Sequence, residues 1–417
     1  MNISHNIQIK TIFANLVFLL FITCIVCSGW LQNYVHETFS YIDELFAILI
    51  CGCAIFEFCV KKIKLNQYEI SFVVLCFLLI IIGFLGNLFS EYQANKFAML
   101  TDCLSWLKLF VVFPCLNILI NPENGKKYYT IALHYTKFFI IVMFMLVIVN
   151  LVHLLPIDDK YDRFGLPAFA FGSHPTFTAA ITCGFLSLLL FDYKKNFFWI
   201  VLSCIITIAT LRIKAIVYIC IVAMMILFVG NKKSLEWKHL VMAFLMCILI
   251  ASNQISYYFF DSEMSRAAAF LASLKIAMSF FPIGSGFATF GTLASGQYYS
   301  EAYYIYGLSD KFGFSPEAYS FVGDGGWATV IGQFGLIGIL LIICMIFLMY
   351  KSIIAYKPLT LNQLPVLSIF SYLLIASSSE IAFCSNYSLI LACCFTLIVN
   401  KYKYEKINSQ AMNFHKA

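Results

Sequence analysis

The chain has 417 residues, of which 62% are hydrophobic, 17% aromatic and only 12% charged. A soluble domain is about half apolar and a quarter charged, so this composition excludes one and points to an integral membrane protein. The net charge of +6 does not mark a nucleic-acid binder, because the lysines lie in short clusters between apolar runs.

A helix needs about 20 apolar residues to cross a bilayer, and these runs do not alternate as β-barrel strands do. The sequence predicts an all-α bundle with spans near 11–30, 41–60, 70–89, 99–120, 129–155, 175–192, 197–211, 215–230, 240–257, 327–350, 364–380 and 385–400. The number is ten to twelve, because the pair around 197–230 is short. The first run follows Lys10, lacks a small-residue cleavage site and is expected to stay as a signal anchor. With twelve spans, the clusters at Lys61, Lys62 and Lys64, Lys126 and Lys127, Lys194 and Lys195, Lys232, Lys233 and Lys238, Lys351 and Lys357, and Lys401, Lys403 and Lys406 all fall on one face. Both termini join that face, and the positive-inside rule makes it cytoplasmic. The sixteen cysteines lie mostly within apolar runs and read as soft packing residues, including the pair Cys24 and Cys27. Residues 1–417 thus form a single polytopic domain without a soluble appendage or inverted repeat.

The opposite face receives two loops, 156–174 and the long 258–326, and the hairpin tip "LRIK" at 211–214. Within the long loop, "SRAAAFLASLKIAMSFF" places Phe270, Leu274, Ala277 and Phe281 on one helical face that would lie along the membrane interface. Then comes "FFPIGSGFATFGT". Its glycines, Gly284, Gly286 and Gly291, match neither G-x-G-x-x-G nor G-x-x-x-x-G-K-[ST]. A turn needing positive φ and close backbone approach is the first reading; a backbone that lets a bulky polar ligand come near is the second. The stretch "GQYYSEAYYIYGLSDKFGFSPEAYSFVGDGGW" follows, rich in Tyr and Phe and carrying Tyr299, Glu301, Asp310, Glu317 and Asp324. An interfacial aromatic belt explains a few of these residues, and a surface for sugar rings explains the mixture with acids.

All three arginines, Arg163, Arg212 and Arg266, fall on this outer face together with Lys214. The positive-inside rule predicts few cations there. A guanidinium fork holds phosphate oxygens with two hydrogen bonds and stays charged, so these residues are candidates for a lipid pyrophosphate. His174, in "GSHPTF", is a candidate base or a helix-entry residue beside Pro175, and Asp324 or Glu301 could serve as the base instead. Lys108 and Lys137, with His134 and Asp102, lie within predicted spans, where either pairing or transport would explain them. No HExxH, no G-x-S-x-G elbow and no D-x-D on a soluble domain is present.

The stretches "RFGLPAFAFGSHPTFTA", "SRAAAFLASLKIAMSFFPIGSGFATFGT" and "YYSEAYYIYGLSD" with "DGGWATVIGQFGLIGILL" resemble the Wzy-type O-antigen and capsular polysaccharide polymerases, relatives of O-antigen ligase. The resemblance covers about 156–345 and elsewhere is only a pattern of spans. It implies a GT-C-like glycosyltransferase of the bacterial inner membrane that works at the periplasmic face without metal or cofactor. Such enzymes join undecaprenyl-diphosphate-linked oligosaccharide units, beside a flippase and a chain-length regulator of the same pathway. Residue by residue it implies a pyrophosphate site at Arg163 and Arg266, a loop at Gly284, Gly286, Phe287 and Gly291, and an acid at Asp324. Family members often carry Ser-Arg where this chain has "TLRIK", so Arg212 fits and the serine is missing. The ligase that moves polymer to lipid A–core is marked by a histidine in its large loop, and 258–326 contains none. A flippase of the same lipid-linked units would place its charges in a central cavity, which keeps Lys108 and Lys137 relevant.

Overall fold

The computed structural model describes residues 2–61, 67–120, 122–152, 163, 165–172, 174–229, 265–356 and 363–414. Among them every regular element is a helix. In chain order these are α1 (Asn2–Val26), α2 (Ser28–Tyr34), α3 (Ile42–Lys61), α4 (Gln67–Ser90), α5 (Lys96–Leu119), α6 (Pro122–Leu151), α7 (Pro175–Leu189), α8 (Phe197–Ala209), α9 (Ile213–Val229), α10 (Ser265–Ser279), α11 (Leu293–Gln297), α12 (Glu301–Ile305), α13 (Gly326–Tyr356), α14 (Leu364–Ser377) and α15 (Ser388–Phe414). Helices occupy eleven of the twelve predicted segments; 240–257 lies outside the described residues.

Five described helices are long and apolar enough to cross a membrane, and six if α1 and α2, bent by 58° at Cys27, count as one span. This is the architecture of a multi-pass membrane protein. Three further helices are apolar but short. α8 has 13 residues, α9 has 17 and α14 has 14. At about 1.5 Å per residue they reach about 20–26 Å, less than the hydrocarbon thickness of about 30 Å.

α5 runs through the centre, packed on α3, α4 and α15, while α15 also lies against α6 and α7. Lysines gather at one end of the bundle. There Lys126 donates to the Tyr404 hydroxyl at 3.1 Å, Lys403 reaches Asn117, and Lys401 sits over the Phe191 ring at 5.4 Å. α7 ends there and begins, at His174, at the other end.

The long loop predicted at 258–326 is not a strand of chain hung outside. Its described part, from Ser265 onward, folds into α10, α11 and α12 around a small core of its own that includes Phe290, Tyr303 and Phe314. α10 packs along α13. Its exposed stripe is Leu271, Leu274, Met278 and Phe281, rotated from the predicted face, because Phe270 packs against the core of the cap.

The glycine stretch between α10 and α11 enters the bundle. α13 is broken at Gly335, whose φ of 57° and ψ of −153° are not helical. The break frees backbone groups, and the stretch bonds them. Ser285 N–H donates to Gly332 O at 3.0 Å, Gly286 N–H to Gln333 O at 2.7 Å, and Ile337 N–H to Pro282 O at 3.2 Å. On its other side, Asn87 of α4 donates to Phe287 O at 2.7 Å and accepts from Phe287 N–H at 2.8 Å. Asp102 accepts from Ala288 N–H at 2.5 Å and from Gln333 at 2.9 Å, and Gln333 accepts from Trp106 at 2.8 Å. Phe287 is fully buried and meets Phe84 and Phe334.

Gly286 makes the approach possible, with φ of 96° and room for no side chain: a Cβ there would stand 2.5 Å from Gly83 O and 2.7 Å from Asn87 Cγ. Gly286→Ala combines overpacking with backbone strain and is expected to cost at least ~2 kcal/mol. Gly52→Ala, where nothing lies within 4 Å, should cost nothing. Thermal unfolding of the two variants in detergent checks this; equal midpoints would refute the packing role of the stretch.

Candidate functional site

The site lies at the arginine end and is built from four turns. The turn before α7 ends in His174, whose Nδ1 lies 3.2 Å from Thr176 N where the helix opens, with Pro175 at its first position. The turn between α8 and α9 carries Leu211 with φ of 51°, an uncommon conformation for a branched residue. It presents Arg212, whose carbonyl accepts from the amides of Ala215 and Ile216 as α9 starts. The turn between α14 and α15 brings Glu380, and the chain just before α13 brings Asp324.

Arg212 Nη2 donates to His174 Nε2 at 2.7 Å. Lys214 pairs with Glu380, which also accepts from the Tyr387 hydroxyl. Asp324 Oδ2 accepts from Arg266 twice, from Nη2 at 2.6 Å and from Nε at 3.2 Å. The groups share one field: Arg212, Lys214 and Arg163 all act on His174, and Arg212, Glu380 and Asp324 act on Lys214. Burial first, and then the three cations, push the His174 imidazole down to about 3. The ring is neutral near pH 7.

Among the described residues, four cations and two carboxylates gather here. The N-termini of α7 and α9 open at the same place, each adding about half a positive charge. Amides and cations gathered in this way favour an anion.

The predicted site residues divide. Arg163, His174, Arg212, Lys214, Arg266 and Asp324 come together. His174 accepts from Arg212 through Nε2, which places the proton of the neutral ring on Nδ1. Glu301 and Tyr299 belong to the cap. Glu301 opens α12 with its amide on Tyr92 O, and the Tyr299 hydroxyl donates to Phe314 O at 2.6 Å. Burial, with Tyr304, Glu317 and Asp310 nearby, pushes that hydroxyl up to about 12. Gly284, Gly286, Phe287 and Gly291 lie in the seam with α13 and α4, where the amides of Gly286, Phe287 and Gly291 are already bonded to protein.

Sequence reasoning missed Glu380 and Tyr387. The one signal was a lone acid in the stretch "IASSSEIAFCSN", on which the span predicted at 364–380 ended. Of the charges expected within the spans, Lys108 pairs with Asp43 and Glu44 and not with Asp102, which holds Ala288 N–H and Gln333. Lys137 lies over the Trp199 ring at 5.6 Å. Among the described residues, no three His, Cys, Asp or Glu side chains are placed to hold a metal ion. No family model, no curated protein and no solved structure matches the chain.

The His174 shift predicts a pH dependence. The unfolded chain titrates near 6.5 and the folded site near 3, so the unfolded state binds the extra proton between these values. Stability from this group is complete above about pH 6.5 and falls as the pH drops toward 3. The unfolding midpoint should fall across that window more steeply in the wild type than in His174→Asn, which brings a capping oxygen. Parallel curves would refute the buried neutral imidazole.

Proposed function

We propose that the chain is a polymerase of GT-C-like, twelve-span architecture. It joins undecaprenyl-diphosphate-linked oligosaccharide repeat units into O-antigen or capsular polysaccharide at the periplasmic face of the bacterial inner membrane, with both termini cytoplasmic. The observation that carries this reading is the cluster of Arg163, Arg212, Lys214 and Arg266 at the end of the bundle opposite the lysines, beside helices too short to fill the bilayer. Shortness sets these cations below the usual headgroup level, where a pyrophosphate anchored by a lipid tail lies.

In this reading the donor pyrophosphate binds between the cations. The acceptor hydroxyl oxygen attacks the anomeric carbon of the donor sugar, and the bond from that carbon to the phosphate oxygen breaks. Negative charge grows on the departing pyrophosphate, and fixed cations in a partly dry site stabilise it more than water would. An arriving pyrophosphate competes with Asp324 for Arg266 and with Glu380 for Lys214. Either carboxylate, once released, can take the hydroxyl proton. His174 holds the Arg212 fork in place.

Deleting the gene in the source bacterium and resolving surface polysaccharide by size tests the reading. Single repeat units on lipid A–core, or free lipid-linked single units for a capsule, support it. Full-length polymer left on its carrier would instead mean a ligase, units trapped on the cytoplasmic side a flippase, and unchanged polysaccharide neither. Complementation with Arg266→Ala or Arg212→Ala should give at least about a hundredfold less polymer while the protein stays inserted. Normal polymer from either variant would remove that residue from the site.

A further inference from the structure

A second cluster of charge lies inside the bundle, on α3 and α5. Lys108 is 1% exposed and Asp43 is 1% exposed. The Lys108 ammonium pairs with Asp43 Oδ2 and, at 2.8 Å, with Glu44 Oε1. The Ser105 hydroxyl also donates to Glu44 Oε1, at 3.3 Å. The other oxygens, Asp43 Oδ1 and Glu44 Oε2, are buried without any hydrogen-bond partner. Two carboxylates thus meet one ammonium, and half of their acceptor atoms are unused.

An excess buried charge is costly unless paired, and an unused buried acceptor adds to that cost. Among the described residues, the Cys384 thiol on the α14–α15 turn lies in the field of Lys108 and Glu44, and a thiol supplies no positive charge.

We propose that Asp43 and Glu44 bind one proton between them opposite Lys108, making this triad a protonation site within the bundle. The proton comes from water and forms an O–H bond on one carboxyl. It cancels the excess charge and converts an unused acceptor into a donor. Both carboxyl groups converge on the one Lys108 ammonium, and a carboxyl–carboxylate bond between them would exist only with a shared proton. The site adjoins the outer cation cluster: Phe383, on the turn that carries Glu380, stacks on Phe110 at 5.9 Å, and Cys384 lies in the field of Asp102, Lys108 and Glu44. The inference stands whether or not the polymerase reading does.

Dicyclohexylcarbodiimide provides the test, because it adds to a protonated carboxyl in an apolar setting and leaves a stable acylurea. With the full-length protein in detergent, mass spectrometry should place the adduct on Asp43 or Glu44. Labelling should fall about tenfold per pH unit above the midpoint. Asp43→Asn and Glu44→Gln should each abolish it, since the remaining carboxylate pairs one to one with Lys108. No adduct from mildly acidic to alkaline pH would overturn the proposal, as would undiminished labelling of both variants. Protection by sodium but not potassium at fixed pH would also overturn it, by showing that the site takes a metal cation. Should the variants not fold, infrared spectra of the wild type decide: a titrating carbonyl band of a buried carboxylic acid supports the proposal, and its absence over the same range overturns it.

Discussion

Backbone groups without partners are costly in hydrocarbon, so a helix can break at membrane depth only where other protein atoms receive the freed amides and carbonyls. α13 breaks at Gly335, and the stretch between α10 and α11 supplies those atoms. The same stretch is tied to α4 by Asn87 and to α5 by Asp102. Three helices are thus joined through one buried loop. Much else follows from its position. The cap is fixed to the bundle because its chain leaves the seam on both sides. Arg266 starts one arm and Asp324 ends the other, and the closure of that circuit lets them pair beside Lys214.

The arginine end also shows how helix ends and side chains combine. A cation in the first turn of a helix is unfavourable, because the peptide dipoles already make that end positive. α9 nonetheless begins between Arg212 and Lys214, and α7 opens at a histidine held neutral by the same charges. Glu380 and Asp324 offset part of this field from outside the helices.

Much of this was legible in the sequence, for identifiable reasons. Apolar runs located the helices because burial in lipid demands them, and the lysine clusters separated the two ends. The arginines were recognisable as a set because they fall away from the lysine clusters, where the positive-inside rule expects few cations. Their partners were not. Asp102 reaches Ala288 and Gln333 across 186 and 231 residues of sequence, and no local pattern announces such contacts. The same holds for Lys108, visible as a charge in an apolar run, whose partners lie 64 and 65 positions earlier. The glycines suggested a tight turn, which they make, but not that the turn would fill a gap in a helix. His174 looked like a base because its type permits it; only its neighbours reveal that the one acceptor nitrogen of its neutral ring faces Arg212.

α8 shows Phe197, Phe198, Val201, Ile205 and Ile208 on its exposed face, and turns Ser203 and Thr207 inward against Thr182. Its lipid-facing length is about 20 Å, some ~10 Å short of an ordinary hydrocarbon layer. Lys194 and Lys195 precede its first turn, so in a bilayer that holds this end at the interface the deficit would fall at the end near Arg212. Thinning of the layer is one response to such a mismatch. It would draw the leaflet down toward the site and open Arg212 to headgroups from the side through the membrane plane as well as from the water above.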